Sequence, residues 1–362
     1  MLSQLKFMYR RTFRHDASQI VHVFIKLSSK CNLMCSHCYE TPNQNVRNEI
    51  GLPEYETLAR QVKDLLILTV TGGEPFIYRD LVKVINLFRA QNVMLTTNGF
   101  FPERIRPMTE EILQANPKRR LVLAVSIDGK ADLHNQIRNH PESYERAVHT
   151  IHMLRELKPT YPNLRVKVNT VLLDTNIDTI GEFMDQVHEE MRPDFHSILL
   201  FMDAKIITGY TIDQSKLGIV NPEAVGHPLM GKLEQARDTV FKKWDRYQYG
   251  EDPMTGWLLR RYNRRVIEES IRTIQRGHRT FECQAGRSIW RLNPHGDIRP
   301  CHWLPAFGTV QTDSVEGILK SDAYRQAMDG IKHHRCSCIE HSIFYDNFML
   351  DPFQAMKLLW QS

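Results

Sequence analysis

The chain has 362 residues, 42% of them hydrophobic and 25% charged, with a formal net charge of +5. That length supports one large or two smaller domains with ample core, and the composition is that of an ordinary globular protein. No run approaches the roughly 18 apolar residues of a membrane span, and the modest, dispersed charge gives no argument for nucleic acid as a partner.

Residues 1–18 read as an N-terminal arm. Lys6, Arg10, Arg11 and Arg14 lie there without an apolar core, which excludes a secretory signal. A solvated arm is the simpler reading, and contact with an acidic partner or membrane surface is the alternative. The β-branched run Val21–Leu27 then feeds Cys31, Cys35 and Cys38, spaced C-x3-C-x2-C. Three thiolates on one loop can grip three corners of a four-iron cube and leave the fourth iron open, as catalytic zinc sites keep an open position. A zinc knuckle would want a fourth ligand and a paired CxxC.

Strand-like and helix-like runs alternate from there. Pro53–Asp64 reads as a helix with proline in its first turn. Leu66–Thr71 reads as a strand ending at Gly72-Gly73-Glu74-Pro75, and Arg79–Ala90 as a helix. Strand Val93–Thr97 ends at Asn98-Gly99, and helix Thr109–Ala115 follows. Strand Leu121–Ile127 ends at Asp128-Gly129, and helix Ser143–Leu157 follows. Strand Leu164–Leu172 leads to an N-cap at Asp174-Thr175-Asn176 and a helix over Ile177–Glu190, and His196–Met202 makes the sixth strand. Such a series argues for an α/β fold, a partial (β/α)6 barrel over 19–202 with right-handed crossovers. Every polar motif falls at a strand's C-terminal end, where (β/α) barrels build their sites.

Beyond 202 the pattern changes. Residues 203–280 read as a helical bridge: a loop to 229, then helices over Met230–Tyr247 and Trp257–Arg276. The second helix carries Arg260, Arg261, Arg264, Arg265, Arg272 and Arg276, offset by Glu268 and Glu269. It reads as a solvated face, or as a dock for an acidic peptide or phosphate. Cys283, Cys301, Cys336 and Cys338 follow, with a hairpin signal around Asn293-Pro294-His295-Gly296, in a small domain at 281–345 before a tail at 346–362. Four cysteines suffice to close one four-iron cluster, with structural zinc as the alternative. Seven cysteines in two clusters do not make a disulfide framework, and they point to a reducing, cytoplasmic compartment.

These segments together resemble the radical S-adenosylmethionine (SAM) superfamily over nearly the whole chain. The carriers are Cys31–Cys38, Gly72-Gly73-Glu74-Pro75, Thr96-Thr97-Asn98-Gly99, Ser126-Ile127-Asp128-Gly129, and His134, Asn135 and Arg138. The spacing Cys283-x12-Gly296-x4-Cys301 resembles the opening of SPASM and twitch auxiliary-cluster domains. The resemblance implies a SAM-binding [4Fe–4S] cluster on Cys31, Cys35 and Cys38, and one auxiliary [4Fe–4S] cluster on Cys283, Cys301, Cys336 and Cys338. Gly72 and Gly73 would accept the SAM ammonium through backbone carbonyls, with Glu74 neutralising it. Ser126 and Arg138 would take the carboxylate, His37 the adenine through its backbone, and Asn169 the ribose. A departure stands at Ser342, where related sequences tend to place a cysteine, so His341 or His333 could substitute as a ligand.

The implied reaction is reductive cleavage of SAM to a 5′-deoxyadenosyl radical that takes a hydrogen from the substrate. Flavodoxin or ferredoxin would serve as electron donor. The substrate would be a ribosomal peptide, modified oxidatively, or a small molecule such as a sugar, cyclitol or lipid-linked metabolite. With the first cluster cysteine at residue 31, no leader-binding domain is expected ahead of the barrel.

Overall fold

The β-branched run before the first cysteines forms β1 (His22–Lys26), and its two faces go different ways. Val23 and Ile25 join the main core beneath the outer helices, while Phe24 enters a second apolar cluster on the opposite face. The computed structural model describes residues 9, 19–38, 44–200, 230–250, 252–276, 278–302, 304–333 and 338–360. The expected arm, the loop at 203–229 and Cys336 lie outside the described residues.

The units follow in order. Helix α1 (Leu52–Gln61), β2 (Leu65–Thr71), α2 (Leu81–Leu87), β3 (Ala90–Thr97), α3 (Pro102–Ala115) and β4 (Arg120–Ser126) come first. Two helices, α4 (Ala131–Arg138) and α5 (Ser143–Leu157), precede β5 (Leu164–Leu172). A 3-10 turn at Ile177–Thr179, helix α6 (Ile180–Gln186) and a π turn at Val187–Met191 lead to β6 (Phe195–Leu200). Helices α7 (Met230–Arg246) and α8 (Pro253–Arg276) come next.

All five neighbouring pairs from β1 to β6 are parallel. The sheet does not stop at β1. Strand β7 (Ile289–Leu292) lies parallel along its free edge, with Phe24 opposite Arg291. The expected hairpin then runs from β7 to β8 (Asp297–Arg299), and β9 (Gly308–Thr309) pairs with β8. The order is β6-β5-β4-β3-β2-β1-β7-β8-β9, with β6 and β9 left as edges. The sheet is therefore an open, partial barrel, as the alternating pattern predicts.

Four further helices close the chain: α9 (Val315–Lys320), α10 (Asp322–His333), α11 (His341–Met349) and α12 (Pro352–Trp360). The boundary drawn between 345 and 346 falls inside α11. This helix packs on the inner face of the first strands. His22 is held between Asp346 Oδ2 at 2.7 Å and Thr69 Oγ1 at 2.8 Å. Tyr345 and Leu350 pack against Ile67 and Met94. Helix α8 leans on β6, where the Ser197 hydroxyl donates to Asn263 Oδ1 at 3.3 Å. Between them, α8 and α11 line the space that the open sheet curls around. Among the described residues, no helix is long and apolar enough to cross a membrane.

Candidate cofactor and cluster sites

The cysteine loop leaves β1 through Ser28 and Ser29, both buried. Glu49 pins it. Its carboxylate accepts from the Ser28 hydroxyl at 2.8 Å and from the Ser29 hydroxyl and backbone N–H at 2.6 Å each. Burial pushes the Glu49 carboxyl up, but these hydrogen bonds win and hold it below the usual range. On the far side of the loop, Ser36 N–H donates to the Ile137 carbonyl at 2.9 Å, tying the loop to the last turn of α4.

The turn after β2 packs directly under this loop. Gly73 N–H donates to the Ser28 carbonyl at 2.7 Å, and Glu74 N–H to the Lys30 carbonyl at 2.8 Å. A Cβ on Gly73 would stand 2.1 Å from the Lys30 oxygen, and one on Gly72, whose φ is +153°, would stand 2.5 Å from the Ser28 oxygen. Glycine is required there because two backbones touch. The Glu74 carboxyl is buried. It accepts from Phe76 N–H at 3.2 Å, Thr97 Oγ1 at 2.8 Å and Asn98 N–H at 2.7 Å. Burial raises it to about 7 against these donors. Asn98 completes the tie by donating to Asn32 Oδ1 on the cysteine loop at 2.9 Å. Glu49, Asn32 and Asn98 were not read as site residues, because their partners are distant in sequence.

A charged network stands behind Cys35. Arg138 Nη2 lies 2.7 Å from Asp128 Oδ2, and its Nη1 donates to Cys35 Sγ at 3.6 Å. Asp128 is fully buried. It accepts from Val171 N–H at 3.0 Å, and His37 Nε2 is 4.0 Å away. Burial opposes its charge, but the Arg138 guanidinium holds the Asp128 carboxyl below the ordinary range. His134 is driven down to about 3 by burial and Arg138, so its neutral Nδ1 accepts from Asp128 N–H at 3.1 Å. Asn135 instead braces the start of α5, accepting from the Ser143 hydroxyl and Tyr144 N–H at 2.9 Å each. Ser126 and Asn169 meet in register at the ends of β4 and β5.

These features fit an iron–sulfur cluster and SAM. Burial raises Cys31 to about 11, with Glu74, Cys35 and Cys38 adding to the effect. Burial raises Cys35 too, against the Arg138 guanidinium, so these two thiols keep their protons until a metal replaces them. Among the described residues, buried Asn32 Nδ2, His37 Nδ1 and Asn169 Oδ1 have no hydrogen-bond partner around the same strand ends, as polar atoms that meet a ligand would. Among the described residues, no three His, Cys, Asp or Glu side chains converge on a single ion. A four-iron cluster does not ask for that, since each thiolate binds its own iron.

The second cysteine group lies across β7. Cys283 and Cys301 pack against one apolar cluster with Phe281 and Leu304. Leu304 N–H donates to Cys301 Sγ, and Glu340 N–H to Cys338 Sγ, at 3.4 Å each. Buried Arg291 joins these segments. It pairs with Glu340 at 2.5 Å, donates to Ser342 Oγ at 2.7 Å and His302 Nε2 at 2.8 Å, and lies 4.2 Å over the Phe24 ring. Ser342 is therefore engaged as a hydrogen-bonding hydroxyl. His333 is exposed and 3.3 Å from Asp329. His341 is turned toward Tyr262, with ring centroids 6.4 Å apart. On α8, Arg264 pairs with Asp245, and Arg265 and Arg272 pair with Glu269.

Residues 25–187 match the radical SAM superfamily profile, and residues 283–340 match an iron–sulfur cluster-binding domain, SPASM. The subtilosin biosynthesis protein AlbA of Bacillus subtilis is 22% identical over 313 residues, covering 83% of this chain and 60% of that protein. The chain thus spans less than two thirds of that relative. The AdoMet-dependent heme synthase of Methanosarcina barkeri is 24% identical, covering 84% of this chain and 83% of that one. The structure of anSMEcpe with bound AdoMet and the Cp18Cys peptide aligns with a TM-score of 0.56 at 14% identity, over 86% of this chain and 84% of that chain, a likeness of fold.

The open α/β barrel with its cysteine loop thus belongs to the radical SAM superfamily. Within that superfamily, this chain carries a SPASM domain at its C-terminal end. Its cofactors are accordingly a [4Fe–4S] cluster with SAM, and a further iron–sulfur cluster in the SPASM region.

Proposed function

We propose that this chain oxidatively modifies a ribosomally made peptide. In this reading 19–202 is the SAM-cleaving core, 203–280 a helical bridge and 281–345 the auxiliary domain. Cys31, Cys35 and Cys38 hold the SAM-cleaving cluster. Cys283, Cys301, Cys336 and Cys338 hold the auxiliary one. When bound, the reduced cluster and SAM supply a 5′-deoxyadenosyl radical, and the auxiliary cluster supplies an electron acceptor.

The observation that carries the reading is the pairing of β7 with β1, which sets the hairpin between Cys283 and Cys301 beside the strand that feeds Cys31. The protein's own part is placement. Gly72 and Gly73 seat the cysteine loop, and Asp128 fixes Arg138 beside Cys35. Ser126 and Arg138 would take the SAM carboxylate, Asn169 the ribose, and His37, through its backbone, the adenine. Helices α8 and α11 exclude water from the space below. Similarity to a bacteriocin biosynthesis protein favours a peptide substrate. Similarity to a heme synthase over most of its length supports a small-molecule oxidation as the second reading. A flavodoxin or ferredoxin would deliver the electron.

The test is anaerobic incubation of reconstituted protein with SAM, dithionite and short peptides encoded beside the gene. A product lighter by a pair of hydrogens, formed in equal amount with 5′-deoxyadenosine, is expected. Cys338→Ala should retain SAM cleavage and lose that product. A product of unchanged mass, or regeneration of SAM, would overturn the oxidative reading.

A further inference from the structure

Most of the cations set into this protein come with carboxylates, and buried Arg119, which lacks one, is committed to the Ile85 and Ile112 carbonyls and to Asn86 Oδ1. Arg138 has Asp128, Arg291 has Glu340 and Arg265 has Glu269. Lys167 has none. It stands on β5, whose burial alternates strictly along its length. Val166 and Val168 enter the main core, so Lys167 and Asn169 point to the other face, into the space enclosed by the barrel. Lys167 lies opposite Ala124 on β4 and Phe195 on β6. Asn169 lies one row nearer the strand ends, opposite Ser126 and Ser197. Lys167 is therefore about 6–7 Å deeper than the row assigned to SAM. The small Ala124 beside it leaves room.

Nothing among the described residues neutralises this lysine. Burial alone acts on its ammonium, bringing it down to about 8, and no carboxylate is near enough to raise it. A second group faces the same space. His341 begins α11, its buried Nε2 has no hydrogen-bond partner among the described residues, and its imidazole senses the Lys167 ammonium as well as the Glu340 carboxylate, which is committed to Arg291. An ammonium without a counter-charge and a buried imidazole nitrogen without a partner, facing one space, suit an anion that joins them. The positive end of the α11 dipole adds to the same field.

We propose that Lys167 and His341 form a seat for a carboxylate of the substrate, held inside the barrel beneath SAM. In the peptide reading, on which this inference rests, that group is an Asp or Glu side chain or a peptide C-terminus. The seat sets specificity. It draws an acidic residue inward and so fixes which neighbouring carbon faces the strand ends. The other carboxylate at hand is that of SAM itself, and the test separates the two.

The probe is glutarate, titrated by calorimetry into the reconstituted protein with and without saturating SAM. Wild-type protein should bind glutarate in both states. Lys167→Met should weaken it by about tenfold or more, the loss of one charge-assisted hydrogen bond. Lys167→Arg should retain it, and the SAM affinity of both variants should match wild type. Equal glutarate affinity in Lys167→Met would overturn the proposal. So would displacement of glutarate by SAM together with weaker SAM binding in Lys167→Met, since the seat would then belong to the cofactor. Should the variants not fold, acetic anhydride labelling of Lys167 in wild-type protein gives the same answer. Protection by glutarate supports the seat, and unchanged labelling overturns it. No peptide is needed, so the seat stands or falls apart from the assay for oxidised product.

Discussion

The buried pair of Asp128 and Arg138 offers the sharpest test of how the site is held. Asp128 is 0% exposed and Arg138 8%, with 2.7 Å between them, so solvent does little to screen their attraction. Breaking a buried pair by removing one partner costs about 3–5 kcal/mol, because the survivor keeps its desolvation penalty without its counter-charge. Arg138→Met leaves a buried carboxylate. Asp128→Asn leaves a buried guanidinium but keeps an acceptor for Val171 N–H, which donates to Oδ1 at 3.0 Å. Asp128→Ala loses that acceptor too, adding about 1–3 kcal/mol. The double variant Asp128→Asn/Arg138→Met removes both charges, so its loss should fall short of the sum of the single losses by about 1–3 kcal/mol.

Urea denaturation followed by circular dichroism measures all five proteins, wild type and the four variants. The pH dependence has a definite sign. Arg138 depresses the folded Asp128 value below its ordinary 3.8, so the pair's contribution is present above that value and lost as pH falls through the folded one. The gap between wild type and Asp128→Asn should close in acid. Single losses below about 1 kcal/mol that simply add would refute the assignment of this pair as a buried, coupled one.

Three further outcomes are expected. Gly73→Ala places a methyl 2.1 Å from the Lys30 oxygen and must separate the β2 turn from the cysteine loop. It should lower the iron bound at the N-terminal site, read as iron per chain against wild type, and full iron loading would count against the close packing. Glu74 is raised to about 7 from an ordinary 4.5, so the native state keeps a proton that the unfolded chain loses between those values, and stability should fall by about 1–3 kcal/mol across that window as pH rises. Glu74→Gln should flatten the profile, and a bound anionic cluster acts in the same direction. Replacing Cys31, Cys35 and Cys38 together by alanine should abolish 5′-deoxyadenosine while leaving iron and sulfide at the C-terminal site. Stoichiometric zinc there instead would replace the auxiliary cluster with a structural metal.

Much of the barrel is legible in the sequence, and the reasons are local. The expected bounds of strand β5 and helix α5 agree with the structure to the residue, because each combines a clean periodicity with polar punctuation at both ends. Helix α4 was not read as a helix. Its buried residues are His134, Ile137 and Arg138, so the apolar stripe that marks a helix is nearly missing. The same lack hid Asp128. It lies inside a recognised segment, yet its importance comes from a guanidinium delivered by α4. The expected helix at Arg79–Ala90 is shorter, Leu81–Leu87, because Ala90 already belongs to β3. The pairing of β7 with β1 could not be read at all. Parallel neighbours so far apart in sequence leave no local signal.

That last pairing has a mechanical consequence for the two cysteine groups. Strand β1 is shared: β2 lies on one edge and β7 on the other, and the loop leaving β1 carries Cys31. Phe24, near the middle of β1, lies under the Arg291 guanidinium and meets the His302 ring at 5.3 Å between centroids. His302 is next to Cys301, and Glu340, which holds Arg291, is two residues beyond Cys338. Moving the auxiliary cysteines relative to the barrel would therefore break a parallel ladder, a cation–π contact of about 1–2 kcal/mol and a buried ion pair at once. A flexible linker would impose none of those penalties. The sequence alone suggests two modules joined by a bridge, whereas the sheet makes the SPASM hairpin an extension of the barrel, with Arg291 as the pin. A pin of this kind holds the segments next to Cys301 and Cys338 at a fixed place relative to the strand that feeds Cys31.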